Sequence, residues 1–167
     1  QKAKVADHAE PILNAIEVVN NLKEKNVKIG SCSGYPREVM DVLIPAALPD
    51  VINEKNMNKV KARVIVEAAN IPIPLVIEEE LHKKGVLIVP DFVANAGGVI
   101  SSYAEHIGES EDYMKKLVKE RLEKNTHDVL TTAFKKKISP RRAGMEIAVK
   151  RVRDAMKKRE KNDKTKN

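Results

Sequence analysis

Two asparagines stand where the chain leaves an apolar run: Asn70, closing "VEAAN" (66–70), and Asn95, inside "VPDFVANAGGVISSYAEH" (89–106). A side-chain amide offers both donors and an acceptor, which suits a ribose or a carboxamide. Gly97-Gly98 follow Asn95 at a helix start, where backbone N–H groups can meet an anion. A glycine pair serves a tight turn equally well. Ser101 and Ser102 come next; taken singly, each reads as a surface helix residue. Cys32, between Ser31 and Ser33, is the only thiol. It has no histidine near it in sequence to activate it and ranks low as a nucleophile. His8, His82, His106 and His127 lack the spacing of metal ligands and read as surface residues, so no metal site is expected. Glu78-Glu79-Glu80 reads as a solvated helix face.

The elements that must position these groups follow from hydrophobic spacing. Residues 8–25 read as a helix with Ile12, Ile16 and Val19 on one face. "VKIGSCSGYP" reads as a short strand and a loop. The runs 41–47, 63–69 and 85–94 are mostly apolar rather than alternating, as strands of a parallel sheet covered on both faces are. "NEKNMNKVKA" (53–62) and "LVIEEELHKK" (75–84) separate them, each long enough for a helix of two or three turns. Strand and helix alternating at short intervals predicts an open α/β sheet with right-handed crossovers.

Each run ends in small or polar residues: Pro45-Ala46-Ala47, Glu67-Ala68-Ala69-Asn70 and Asn95-Ala96-Gly97-Gly98. Small residues also serve to pack helices closely on strands. Three such endings together favour a shared crevice outside the carboxyl ends of the strands, where open sheets bind ligands. Helices are predicted over 97–107, 111–136 and from Ser139-Pro140 onward, a serine cap with proline in the first turn. Met114, Leu117, Val118, Leu122, Val129, Leu130, Ala133 and Phe134 line one face of the second. Met145, Ala148, Val149, Val152, Ala155 and Met156 line one face of the last. Residues 1–158 are read as one unit, and 159–167 as a basic tail expected to fray.

The composition fits this reading. Of 167 residues, 42% are hydrophobic and 33% charged, which marks a globular chain rather than a disordered one. Aromatics are 3% with no Trp, so the core is built from aliphatic residues. The net charge of +7 invites nucleic acid, but many of the cations sit on helices after residue 110 and in the tail, without interleaved aromatics. Nucleic acid is therefore an unlikely partner. One cysteine excludes an intramolecular disulfide and suits a reducing cytoplasm. No run approaches a membrane span. Gln1 in place of Met points to sequence upstream.

"DVLIPAALPDVINEKNMNKVKARVIVEAAN", "ELHKKGVLIVPDFVANAGGVISSYAEH" and "AVKRVRDAMKKR" together resemble the cofactor domain of glutamate dehydrogenases, in the glutamate/leucine/phenylalanine/valine dehydrogenase family. The resemblance runs from about residue 39 to about residue 158. It implies part of a Rossmann-like, doubly wound parallel sheet followed by C-terminal helices. It also implies NAD or NADP as cofactor and oxidative deamination of an amino acid, with glutamate giving 2-oxoglutarate and ammonia. By the same resemblance Ala46 and Ala47 line the dinucleotide. Asn70 contacts the nicotinamide ribose, and Asn95 the nicotinamide end. Val99 and Ser102 reach the substrate. Ser102 tilts the choice toward glutamate, because branched-chain members tend to carry an apolar residue there.

Two departures stand out. "EAANIPIP" replaces the family's usual "EGANGPTT", so a glycine and the threonines are lost after Asn70. Residues 1–35 match only loosely, with Asp7 a weak candidate for reading the ribose. There is no G-x-G-x-x-G, and the family's catalytic lysines and aspartate belong to a substrate domain that this sequence does not contain. The chain is therefore expected to be one part of such an enzyme, with no catalytic residue of its own and no turnover alone. The intact enzyme is expected to be a homo-oligomer. The alternatives are a leucine or valine dehydrogenase, or a non-catalytic binding domain derived from the family.

Overall fold

A computed structural model describes residues 15–27, 29–31 and 41–164 of the chain. The candidates Asp7, His8 and Cys32 lie outside the described residues. The elements are α1 (Ala15–Glu24), β1 (Ile29–Ser31), β2 (Val42–Ile44), a 3-10 turn (Met57–Lys59), β3 (Val64–Val66), α2 (Leu75–Lys83), β4 (Leu87–Val89), α3 (Asp91–Ala94), α4 (Gly97–His106), α5 (Glu111–Lys136) and α6 (Pro140–Lys164).

The four described strands form one parallel sheet in the order β1-β2-β3-β4. The register sets Leu43 beside Ile65 and Ile65 beside Ile88, one buried aliphatic row across three strands. That row packs with Ile52, Met57, Ile73, Ile77 and Leu81 into a first core. Val89, Val93, Val129, Ala133 and Ala143 form a second, where α3, α5 and α6 meet the end of β4. The apolar runs are thus strands, as their lack of alternation predicts, but each regular segment is only three residues long. The run 85–94 is not strand throughout. Pro90 has no N–H for the ladder, and Asp91 opens α3 instead.

One connection differs from expectation. Residues 53–62 do not form a helix of two or three turns. Asn56 Oδ1 accepts from the N–H of Asn53 at 2.8 Å, and Asn56 Nδ2 donates to the carbonyl of Val51 at 2.7 Å. Asn53 Nδ2 donates to the carbonyl of Asp50 at 2.9 Å. These side chains give the backbone partners that compete with helix formation, and only a single 3-10 turn remains.

The helical half is close to its sequence pattern. α5 runs over the predicted 111–136; the hydroxyl of Ser110 accepts from the N–H of Tyr113 at 3.2 Å, and Lys137 closes the helix in the left-handed region at φ 55°. Ser139 Oγ accepts from the N–H of Arg142 at 3.4 Å at the head of α6. α6 continues to Lys164, beyond the fraying expected near 158. Its apolar stripe is a correction of another kind: Met145, Val149, Val152 and Met156 are exposed, as is Phe134 of α5. No described helix is long and apolar enough to cross a membrane.

Candidate functional site

The carboxyl ends of β2, β3 and β4 open into one cleft of about 710 Å³. It is lined by Ala46, Ala47 and Pro49 after β2, by residues 68–71 after β3, and by Asn95, Gly98 and Val99 after β4. The three small-residue endings therefore meet in one place, as parallel strands of equal length require. Five of the six sequence candidates line it: Ala46, Ala47, Asn70, Asn95 and Val99. Ser102 does not. It is exposed on α4, three residues beyond Val99 and on the same helical face.

The two asparagines touch. Asn95 Nδ2 donates to Asn70 Oδ1 at 2.8 Å and to the carbonyl of Ala69 at 3.4 Å. These bonds leave the Asn70 amide hydrogens and the Asn95 carbonyl for a ligand. A carboxamide or a pair of ribose hydroxyls presents the matching acceptor and donor, so the residues fit the nicotinamide half of a dinucleotide. The alanines leave room for close approach. Gly97 and Gly98 divide: a Cβ on Gly97 would meet Val118 at 3.4 Å, a packing role, whereas one on Gly98 would meet nothing within 4 Å. Ser101 Oγ is taken up by the carbonyl of Gly98 at 2.8 Å.

Two loops form the rim opposite α4. The N–H of Asp50 donates to the carbonyl of Ile71 at 3.1 Å, and that of Ile52 to Pro72 at 3.1 Å. Ile71 sits at φ 46°, in the left-handed region that disfavours a β-branched residue. This is the position at which "EAANIPIP" departs from "EGANGPTT", isoleucine standing where glycine is usual.

Beneath the cleft lies a charge cluster that sequence reading did not pick out. Arg141 Nη2 donates to Glu67 Oε2 at 2.8 Å and to Asp91 Oδ1 at 3.1 Å, and Arg141 Nε donates to Glu78 Oε2. The N–H of Asp91 also donates to Glu67 Oε2 at 2.9 Å. The guanidinium lies 5.4 Å from the centre of the Phe92 ring. Glu67, Glu78 and Asp91 are all buried. Three carboxylates on one cation leave an excess of negative charge, and Glu67 Oε1 and Glu78 Oε1 have no hydrogen-bond partner. Burial, reinforced by Glu78, pushes the Glu67 carboxyl up to about 7. Burial likewise raises Glu78, against the pull of Arg141. Burial works upward on Asp91 too, but its hydrogen bonds, first from Ile71, and the charge of Arg141 leave it below the usual carboxylate range.

The reading of Glu78-Glu79-Glu80 as a solvated face is corrected accordingly: Glu79 and Glu80 are exposed, Glu78 is not. A signal was available. Glu67 and Asp91 are each the only carboxylate in a mostly apolar, strand-forming run, and a carboxylate buried there needs a cation. Among the described residues no cluster of His, Cys, Asp or Glu could hold a metal ion. A smaller groove of about 470 Å³ follows the exposed face of α6 from Arg142 to Lys157 and has no second element to converge on it.

Comparison with known proteins sets this geometry in context. A stretch of 47 residues is 89% identical to a phosphonoacetaldehyde hydrolase of Vibrio vulnificus (strain YJ016), covering 28% of this chain and 17% of that protein. Over 132 residues, 72% of this chain and 31% of its partner, it is 42% identical to a glutamate dehydrogenase of Aeropyrum pernix. The chain thus spans under a third of the length of either relative. The crystal structure of an L-tryptophan dehydrogenase from Nostoc punctiforme shares the fold, with a TM-score of 0.71 at 24% identity over 85% of this chain and 49% of that one. The profile of the Glutamate/Leucine/Phenylalanine/Valine dehydrogenases matches residues 2–160. With the α/β sheet, the strand-end cleft and nearly the whole sequence in agreement, the chain belongs to the Glutamate/Leucine/Phenylalanine/Valine dehydrogenase family.

Proposed function

We propose that this chain is the nicotinamide side of the cofactor domain of an NAD(P)-dependent amino acid dehydrogenase, with glutamate as the substrate. The observation that carries the reading is the Asn70–Asn95 pair in a cleft floored by alanines. When bound, the dinucleotide supplies the hydride acceptor. Ala46 and Ala47 admit it close to the backbone, Asn70 holds the nicotinamide ribose, and Asn95 orients the nicotinamide end. Val99 lies against the substrate side of the cleft, and Ser102, next along that face of α4, gives a hydroxyl to the distal carboxylate of glutamate. A site built to hydrogen-bond discriminates well against an apolar side chain. The lysines and the carboxylate that the chemistry needs belong to a separate substrate domain, and the whole enzyme works as a cytoplasmic homo-oligomer.

Titrating the purified chain with NADH, followed by nicotinamide fluorescence, tests this. Weak saturable binding is expected, lost in Asn95→Ala, with no glutamate-dependent NADH production. Robust production would overturn the reading of the chain as one part of the enzyme. In an intact relative, Ser102→Val at the matching position should collapse glutamate activity. If preference is unchanged, the substrate is a branched-chain amino acid.

A second reading concerns the first part of the chain. The hydrolase-like and dehydrogenase-like stretches cover 28% and 72% of it. The family profile reaches back to residue 2, but the dehydrogenase motifs run from about residue 39 and the resemblance before residue 35 is loose. The hydrolase-like stretch is therefore read onto the opening residues; at 47 residues it reaches past residue 39 and takes in β1, β2 and the Ala46-Ala47 ending of the cleft. At 17% of a hydrolase it is too short to carry that enzyme's chemistry. Phosphonoacetaldehyde offered to the purified chain is expected to release no phosphate; measurable release would overturn this.

A further inference from the structure

The cleft asparagines sit on two separate loops, one after β3 and one after α3. The two bonds of Asn95 Nδ2, to Asn70 at 2.8 Å and to the carbonyl of Ala69 at a long 3.4 Å, are too weak to fix two loops against each other. The charge cluster below connects the same two loops. Asp91 Oδ2 accepts from the N–H of Ile71, the residue after Asn70, at 3.0 Å. Asp91 also opens the short helix that ends at Asn95, and its carbonyl accepts from the N–H of Asn95 at 2.8 Å. Its other carboxylate oxygen is held by Arg141, and its own N–H by Glu67. One buried aspartate thus grips both asparagine-bearing loops, and an arginine from α6 fixes that aspartate.

The left-handed backbone of Ile71 gives an independent reason for the grip. An isoleucine at φ 46° costs about 1–2 kcal/mol relative to glycine and persists only where its surroundings over-determine it. The charge-assisted bond from its own N–H to Asp91 is one such constraint, and the carbonyl bond to Asp50 is the other.

We propose that Asp91 and Arg141 are positioning residues, which hold Asn70 against Asn95 in the geometry that the nicotinamide end requires. The proposal rests on the reading of the cleft as a cofactor site. Neither residue lines the cleft; both act through Asn70 and Asn95.

The test uses the full ¹⁵N-labelled chain, with Asp91→Asn and Arg141→Lys read against the exposed Arg142→Lys as control. An amide at 91 can accept from only one of the two donors that Asp91 now satisfies. The side-chain amide resonances of Asn95 and the backbone amide of Ile71 are expected to move together in Asp91→Asn. Arg141→Lys, which keeps the cation but loses the planar fork, should move them in the same direction by less. NADH affinity should fall about tenfold or more in Asp91→Asn, the scale of one lost hydrogen bond to a charged group. Unchanged Asn95 resonances in a folded Asp91→Asn chain would overturn the proposal. Should NADH bind no variant and not the wild type, while the Asn95 resonances still move, the cofactor reading falls and the positioning role stands. If neither variant folds, the wild-type chain answers directly. The Ile71 and Asn95 resonances must then shift in parallel as Asp91 titrates among Glu67, Glu78 and Arg141, and independent shifts would overturn the coupling.

Discussion

Glu67→Gln should make the chain more stable at pH 8 than the wild type, although it removes a partner from an ion pair. Glu67 is fully buried and shares Arg141 with two other carboxylates. Its carboxyl is pushed from 4.5 to about 7, chiefly by burial. An acid whose folded pKa is raised holds its proton more tightly when folded. Its contribution to stability is whole below pH 4.5 and is lost as pH rises to about 7. At about 1.36 kcal/mol per pH unit the full loss is roughly 3 kcal/mol. Glu78 is raised too and adds to the fall, while Asp91 is lowered and acts only under more acidic conditions. Glutamine mimics the protonated side chain, and its carbonyl oxygen can accept from Arg141 and from the N–H of Asp91. The two chains should therefore unfold alike near pH 4 and diverge steadily between pH 4.5 and about 7. For a chain of this size roughly 3 kcal/mol corresponds to about 6–12 °C in Tm at pH 8. Thermal unfolding from pH 4 to 8 measures it. A Glu67→Gln chain that matches wild type near pH 4 and melts lower at pH 8 would refute the reasoning, for the ionised carboxylate would then be the favoured partner of Arg141.

Other substitutions probe the same architecture. Arg141→Met strands three buried carboxylates without a cation and should cost about 3–5 kcal/mol in urea unfolding at pH 7; a loss below 1 kcal/mol would show that the cluster is solvated. Ile71→Gly exchanges left-handed strain of about 1–2 kcal/mol for the burial of a side chain that is already 57% exposed. A net gain of up to about 1 kcal/mol is expected, and a midpoint lowered by more than that amount would mean that the backbone there is unstrained. A Cβ on Gly144 would stand 2.8 Å from the Phe92 ring. Gly144→Ala should therefore stabilise α6 less in the wild type than in a Phe92→Leu background, with a coupling of about 1 kcal/mol in a double-mutant cycle; additivity would mean that the ring moves aside freely.

The sheet and its cleft were legible because they rest on local signals. Mostly aliphatic runs marked the strands, and the small residues that end each run marked the mouth; the stop of the last strand at Pro90 was read too late. α5 could be read because its apolar residues keep a sustained 3.6-residue period; the Ser110 cap that fixes its start was seen only in the structure. The crossover 53–62 was misread because length and polarity allow a helix there, and only the side-chain bonds of Asn53 and Asn56 decide against it. The charge cluster escaped because its members come from three helices and the loop after β3, up to 74 residues apart. No period links such positions; only burial does. The outward apolar stripe of α6 shows the converse, that spacing identifies a face without saying what covers it.

The pairing of β1 with β2 has a consequence for how copies of this chain behave toward one another. Ile29, Gly30 and Ser31 lie in register beside Val42, Leu43 and Ile44. Backbone ladders use groups that nearly every residue carries, so a strand of any ancestry can fill that place. Without it, β2 would be the outer strand of the described sheet, flat, aliphatic and with a row of unpaired donors and acceptors. Such an edge recruits the edge of another molecule. β1 is itself the outer strand of the described sheet, but with Gly30 and Ser31 it sets a less aliphatic edge outside β2. A chain that begins at Asp41 is expected to keep its cleft and lose colloidal stability, precipitating at concentrations that the full chain tolerates.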